Sequence, residues 1–188
     1  MSADAPNPVA GGRTMVDLRA LIRDIPDFPK PGIVFKDITP LLLNPAATDC
    51  AISALAQWAR PRMVDFVVAA EARGFILGAA LARELGVGFV PARKPGKLPS
   101  DTVSAEYILE YGIDALEVHA DALADGARVL VHDDLLATGG TARALAELVE
   151  KLGGHVVGCA FLVELAFLGG RERLEGFDVH ALVSYEAE

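Results

Sequence analysis

The sequence predicts an α/β fold, a mostly parallel sheet flanked by helices, and three observations carry that prediction. Short apolar runs bounded by loop residues recur along the chain. Stretches with helical spacing separate them, and the residues with the most chemistry follow the runs instead of interrupting them. Strand–helix alternation of this kind gives a parallel sheet covered on both faces. Ligands of such a sheet bind beyond the carboxyl ends of its strands.

Residues 1–13, with Pro6, Pro8, Gly11 and Gly12 and little apolar content, are expected to be a disordered leader, and Met15 is a candidate natural start. Residues 14–188 are read as a single domain, within the usual span of about 100–200 residues. Thr14 and Asp17 resemble a capping box with Asp in place of Glu, which predicts a helix running to about Arg23. Pro26, Pro29, Pro31 and Gly32 then rule out helix, and Ile33-Val34-Phe35 reads as a short strand. The rigid stretch at about 26–40 is suited to cover a ligand. A helix follows from about Ala46 or Thr48 to Ala59, a buried strand at Phe66 to Ala70, and an Ala-rich helix from Phe75 to Leu85 that Gly86 stops. Further strands are expected at Val87 to Ala92, Arg128 to Asp133, His155 to Glu164 and His180 to Tyr185, with a helix over Gly140 to Leu152.

Composition excludes several classes of function. The chain has 188 residues and is 52% hydrophobic, yet no apolar stretch reaches the ~18–20 residues of a membrane span. Its start lacks a basic segment followed by an apolar one, and two cysteines do not make a disulfide framework, so a soluble cytoplasmic protein is expected. The net charge of −9 has the wrong sign for a nucleic-acid partner. Against this acidic background Arg93, Lys94 and Lys97 cluster within five positions, as suits a small polyanionic ligand.

The richest segment is Val129 to Thr141, where an apolar run ends in Asp133 and Asp134 and continues through Ala137-Thr138-Gly139-Gly140-Thr141 into a helix. Small residues let backbone N–H groups approach an anion, the two threonines add hydroxyls, and the helix start adds positive partial charge. Gly-Gly before a helix can be only a turn. Two adjacent carboxylates, however, repel each other, and ligand hydroxyls or a nearby cation explain them better than stability does. There is no Gly-x-Gly-x-x-Gly and no lysine after the glycines, so dinucleotide and nucleoside-triphosphate fingerprints do not fit.

Two more segments end strands on the same rim. Glu71-Ala72-Arg73-Gly74 puts an arginine beside a tight turn, although by itself it reads equally as a helix start with solvated charges. Arg93-Lys94-Pro95-Gly96-Lys97-Leu98-Pro99 can be neither helix nor central strand, and at the mouth of an anion site it reads as a flap. Tyr107-Ile108-Leu109-Glu110-Tyr111-Gly112 taken alone is an alternating strand with Glu110 exposed.

Together these segments resemble the type I phosphoribosyltransferases. The acidic pair and small-residue loop are similar to that family's phosphoribosyl pyrophosphate (PRPP) signature. The Arg93 stretch, the Leu109 to Gly112 sequence, and Phe28 through Pro40 resemble its adenine-specific members. The resemblance runs from about Val16 to Tyr185. It implies the type I phosphoribosyltransferase fold with a small N-terminal hood at about 26–40 and a flexible catalytic loop at about 94–111. The reaction implied converts adenine and PRPP to AMP and pyrophosphate, with inversion at the anomeric carbon and with Mg²⁺ carried by PRPP or pyrophosphate instead of by protein ligands. Site roles carry over as follows. Ala137, Thr138, Gly139, Gly140 and Thr141 hold the 5-phosphate, Asp133 and Asp134 the ribose hydroxyls, and Arg73, Arg93, Lys94 and Lys97 the pyrophosphate. Val34 (through its backbone), Phe35 and Arg73 meet adenine, while Glu110 is the catalytic carboxylate and Tyr111 closes over the site. A homodimer is also implied.

One departure from the family is His132, which stands where an aliphatic residue is usual and is read as a core histidine. His119, His155 and His180 lack metal-ligand spacing. The competing readings are transfer to another base and a noncatalytic ligand sensor. Phe161 to Leu165 offers no lysine of the kind used for 6-oxopurines, and the chain keeps the flap that a sensor would be expected to lose.

Overall fold

The computed structural model describes residues 9–11, 13–109 and 112–187. Of the expected leader, Val9–Gly11 (β1) pairs antiparallel with Arg13–Val16 (β2), while residues 1–8 and 12 lie outside the described set. The helix expected from Thr14 to Arg23 is not formed. Asp17 does accept a hydrogen bond from the Ala20 N–H at 3.2 Å, but only one 3-10 turn, Arg19–Leu21, results. That turn already buries Leu18 and Ile22, and Arg23–Ile25 (β3) then pairs antiparallel with Phe35–Asp37 (β4). A lone helix this short is marginal in water, so tertiary pairing wins. The strand expected at Ile33 accordingly begins two residues later. Arg23 clamps the ribbon through Asp37, at 2.6 Å to Nη2.

Thr39–Leu42 (α1) leads to Pro45–Ala59 (α2), whose N-cap Asn44 accepts from the Ala46 and Ala47 N–H groups. Phe66–Ala70 (β5), Gly74–Leu85 (α3) and Gly88–Ala92 (β6) follow as expected. Thr102–Leu109 (β7) and Gly112–His119 (β8) form a long antiparallel hairpin; the second strand was not anticipated, although Leu116 and Val118 show its two-residue period. Arg128–Leu136 (β9), Gly140–Lys151 (α4), His155–Leu165 (β10) and Val179–Tyr185 (β11) complete the chain. Among the described residues no helix is long and apolar enough to cross a membrane.

The five main strands form one parallel sheet in the order β11-β10-β9-β5-β6. One face packs against α2 and α3 through Leu55, Leu77 and Leu81, and the other against α4 and the hairpin through Leu145, Leu148 and Phe161. β9 runs three residues past its expected end because β10 accompanies it, with Phe161 opposite Asp133 and Glu164 opposite Leu136. The acidic pair therefore belongs to the strand itself, which fixes its direction.

His132 is a fully buried core residue, as expected. Its Nδ1 lies 2.9 Å from the Ala160 carbonyl, and its Nε2 has no partner. Burial holds its pKa down, to about 4. The unfolded ring titrates near 6.5, so the stability tied to neutral His132 is complete above that value and is lost as pH falls from 6.5 towards about 4. A shift of this size corresponds to about 3 kcal/mol. Wild type should therefore lose about 3 kcal/mol more than His132→Val between neutral pH and pH ~4 in denaturant titrations. Parallel stability curves would contradict this.

Candidate active site

The strand order reverses between β5 and β9. The chain leaves β5 through α3 on one face of the sheet and leaves β9 through α4 on the other, so a crevice opens beyond their carboxyl ends. All three chemistry-bearing segments emerge on that rim, as the alternation implied.

Arg73 links two of them to the hood. Its Nε lies 3.0 Å from Asp134 Oδ2, and its guanidinium carbon sits 4.8 Å from the centre of the Phe35 ring, so the hood, the loop after β5 and the acidic pair meet at one side chain. Phe35 in turn packs edge-on against Phe28, with centroids 5.1 Å apart. Gly74 is pressed against the acidic pair: a Cβ there would lie 2.6 Å from Asp133 Oδ1. The Asp134 N–H donates to Asp133 Oδ1 at 2.9 Å, whereas buried Asp134 Oδ2 has the charge of Arg73 beside it but no aligned hydrogen bond. Burial pushes the Asp133 carboxyl well above the usual range, and the neighbouring Asp134 charge adds to the effect. Burial also raises Asp134, against the opposing pull of Arg73. Two carboxylates with one guanidinium between them lack donors and positive charge. A polyhydroxyl ligand accompanied by a cation supplies both.

The small-residue loop forms the neighbouring wall. Gly139 takes φ +81 at the N-cap of α4, and a Cβ there would lie 2.5 Å from the Gly170 carbonyl oxygen, so only glycine fits. Gly139 and Gly140 are buried, Ala137 and Thr141 half-buried, and Thr138 exposed. The loop thus offers backbone N–H groups and a hydroxyl at a helix start.

The cations of the flap are employed differently from one another. The Arg93 Nε and Nη2 both donate to Glu71 Oε2 at 3.0 Å, and its Nη1 donates to the Lys97 carbonyl at 3.1 Å. Glu71 also accepts from the Lys94 N–H at 2.6 Å, the main cause of its lowered pKa. Three of the five N–H donors of Arg93, which is expected to hold pyrophosphate, shape the root of the flap. Its backbone pairs with Glu117 of β8 as well, and the Gly96 N–H donates to Glu117 Oε2. Lys94 pairs with Asp114 of β8, which also accepts from the Tyr107 hydroxyl at 3.1 Å. Lys97 is exposed, and Val34 is half-buried just ahead of β4. Glu110 and Tyr111, the expected catalytic pair, lie outside the described residues.

Sequence reasoning left the part played by Glu71 open and missed the acids of β8 and the loop after β10. The Gly169-Gly170 pair followed by Arg171 was the available signal for that loop.

Comparison with known proteins gives this geometry a context. The phosphoribosyl transferase domain family matches residues 41–176. The adenine phosphoribosyltransferase of Thermotoga maritima is 61% identical over 170 residues, spanning 90% of this chain and 98% of its own. That of Rubrobacter xylanophilus is 58% identical over 174 residues, spanning 92% and 94%. The crystal structure of adenine phosphoribosyltransferase from Thermoanaerobacter pseudethanolicus matches with a TM-score of 0.88 at 56% identity, over 89% of this chain and 98% of that one. The Saccharomyces cerevisiae enzyme, complexed with D-2,5-dideoxy-2,5-imino-altritol 1,6-bisphosphate and adenine, matches with a TM-score of 0.84 at 40% identity, over 88% and 96%. With a crevice of this construction and similarity over nearly its whole length, the chain belongs to the phosphoribosyltransferase family, in its adenine phosphoribosyltransferase branch.

Proposed function

We propose that this protein transfers the 5-phosphoribosyl group of PRPP to adenine, giving AMP and pyrophosphate in purine salvage, and that the crevice beyond β5 and β9 is where it does so. The observation that carries the assignment of the site is Arg73, held between the acidic pair and the hood aromatic Phe35. Breaking the bond between the anomeric carbon and pyrophosphate builds positive charge on the ribose ring and negative charge on the leaving group. Opposed charges must therefore be fixed close together. Asp133 and Asp134 accept from the ribose hydroxyls on the positive side, while Arg73, Lys94 and Lys97 face the pyrophosphate. Arg93 faces the pyrophosphate as well, while holding the flap root to Glu71. The stretch Ala137-Thr138-Gly139-Gly140-Thr141 grips the 5-phosphate.

Mg²⁺ fits this arrangement as a companion of the substrate. Asp134 Oδ2 is a buried hard oxygen without an aligned hydrogen bond, and so suits a cation that arrives with the substrate. Mg²⁺ usually keeps several waters and takes other ligands from substrate phosphates and one or two carboxylates. When bound, it would neutralise charge on pyrophosphate.

Adenine is held by Phe35, Arg73 and the backbone of Val34. Its exocyclic amine is a donor, which suits a backbone carbonyl; a 6-oxopurine presents an acceptor at that edge. N9 attacks the anomeric carbon from the side opposite the departing pyrophosphate, inverting it. Glu110 hydrogen-bonds the proton on N7, which leaves N9 the better nucleophile, and takes that proton as the bond from N9 to the anomeric carbon forms and the bond to pyrophosphate breaks; closure of the flap with Tyr111 excludes water. A cytoplasmic homodimer is the form the family resemblance supports.

Asp134→Asn tests the assignment. Losing the carboxylate should remove about 2–4 kcal/mol of transition-state stabilisation, seen as a fall in kcat/KM for PRPP, with adenine binding little changed. An unaffected kcat/KM would place the pair outside the site.

A further inference from the structure

We propose that the ion pair between Glu164 and Arg171 is a positioning pair for the phosphate-binding loop, clamping the Gly169-Gly170 turn against Ala137 to Gly139. The inference rests on the function proposed above and adds residues that touch no substrate.

Glu164 lies near the end of β10, directly opposite Leu136, the last residue of β9 before the loop. It is 4% exposed, an unusual place for a carboxylate. Arg171 meets it as a fork, with Nε to Oε1 and Nη2 to Oε2 both at 2.7 Å, while Nη1 donates to the Val179 carbonyl at 3.0 Å. One arginine therefore ties the segment after β10 to two sheet strands. What it holds is a tight turn between the short 3-10 helices Ala166–Leu168 and Glu172–Leu174, the second anchored by buried Leu174.

The turn is interlocked with the phosphate-binding loop. A Cβ on Gly170 would lie 2.2 Å from the Ala137 carbonyl oxygen, and one on Gly139 would lie 2.5 Å from the Gly170 carbonyl oxygen. Backbone thus rests directly on backbone, so displacement of the turn is transmitted to the peptide groups that face the phosphate. Such groups help only when their N–H directions are fixed in advance. A planar fork fixes direction as well as distance, which an apolar contact of equal size cannot do.

The test uses two variants of the whole protein. Arg171→Lys keeps the charge and loses the fork; Gly170→Ala leaves the fork intact and pushes directly on Ala137. Each should raise KM for PRPP about tenfold, with KM for adenine within about twofold of wild type. Each should also weaken ribose 5-phosphate binding in calorimetry by a similar factor. Unchanged PRPP kinetics, or equal rises in both KM values, would overturn the proposal, because a merely structural pair loosens the whole crevice without preference. If Arg171→Lys does not fold, Glu164→Gln, which keeps the shape of the acid and loses its charge, decides between the same outcomes. If wild type makes no AMP, the functional reading has failed, and ribose 5-phosphate binding decides the clamp separately: equal affinity in wild type and variants overturns it.

Discussion

Glu110→Gln is expected to lower kcat by about 10²–10⁴-fold, the usual contribution of a positioned acid or base. Glu110 and Tyr111 join β7 to β8 in the sequence, and those strands pair in register as far as Leu109 and Gly112. The hairpin is rooted at the crevice. Lys94 is bound to Asp114, the Arg93 backbone to Glu117, and the Arg93 side chain to Glu71, which directly precedes Ala72 and Arg73 in the loop after β5. A carboxylate carried by this hairpin is thus tethered, through Glu71, to the loop that bears the arginine of the site. Removing its charge leaves the tether intact, so binding of PRPP should change little while the chemical step slows. Gln keeps the shape and a hydrogen-bonding oxygen but cannot accept a proton. If instead Glu110 is an exposed strand residue and nothing more, its replacement should leave kinetics near wild type, since surface substitutions usually alter stability by less than about 0.5 kcal/mol. Steady-state kcat for the two proteins, measured at saturating PRPP, separates these outcomes.

The sheet and the rim were legible in the sequence because both depend on local pattern. Phe66 to Ala70 is an apolar run bounded by loop residues, and it forms the strand at those same residues. The acidic pair, Arg73 and the glycines before α4 were legible because their spacing relative to strand ends is itself the chemistry. What was not legible depends on long-range pairing. Arg23 joins a strand instead of a helix because residues 35–37 lie beside it, a fact no window around Arg23 contains. The part played by Glu71 stays open in the sequence because the residue that meets its carboxylate, Arg93, lies 22 positions away. The contact of Arg93 with Glu71 was hidden for the same reason: the sequence clusters Arg93 with Lys94 and Lys97, and the acid it meets comes from another loop. Glu164 sits in an apolar strand and shows its purpose only once Arg171 folds back on it.

Base selectivity is the most direct measure of the account, and its expected effect is the largest. With PRPP and Mg²⁺ present, pyrophosphate release should be measured for adenine, hypoxanthine, guanine and orotate under identical conditions. A site that pairs the exocyclic amine of adenine leaves its own buried groups unpaired against a 6-oxopurine, and mispairing of that kind costs as much as ~10⁴–10⁵ in kcat/KM. AMP should form rapidly from adenine, with turnover of hypoxanthine and guanine lower by orders of magnitude. Comparable kcat/KM for hypoxanthine and adenine, or tight nucleotide binding with no turnover of any base, would contradict it.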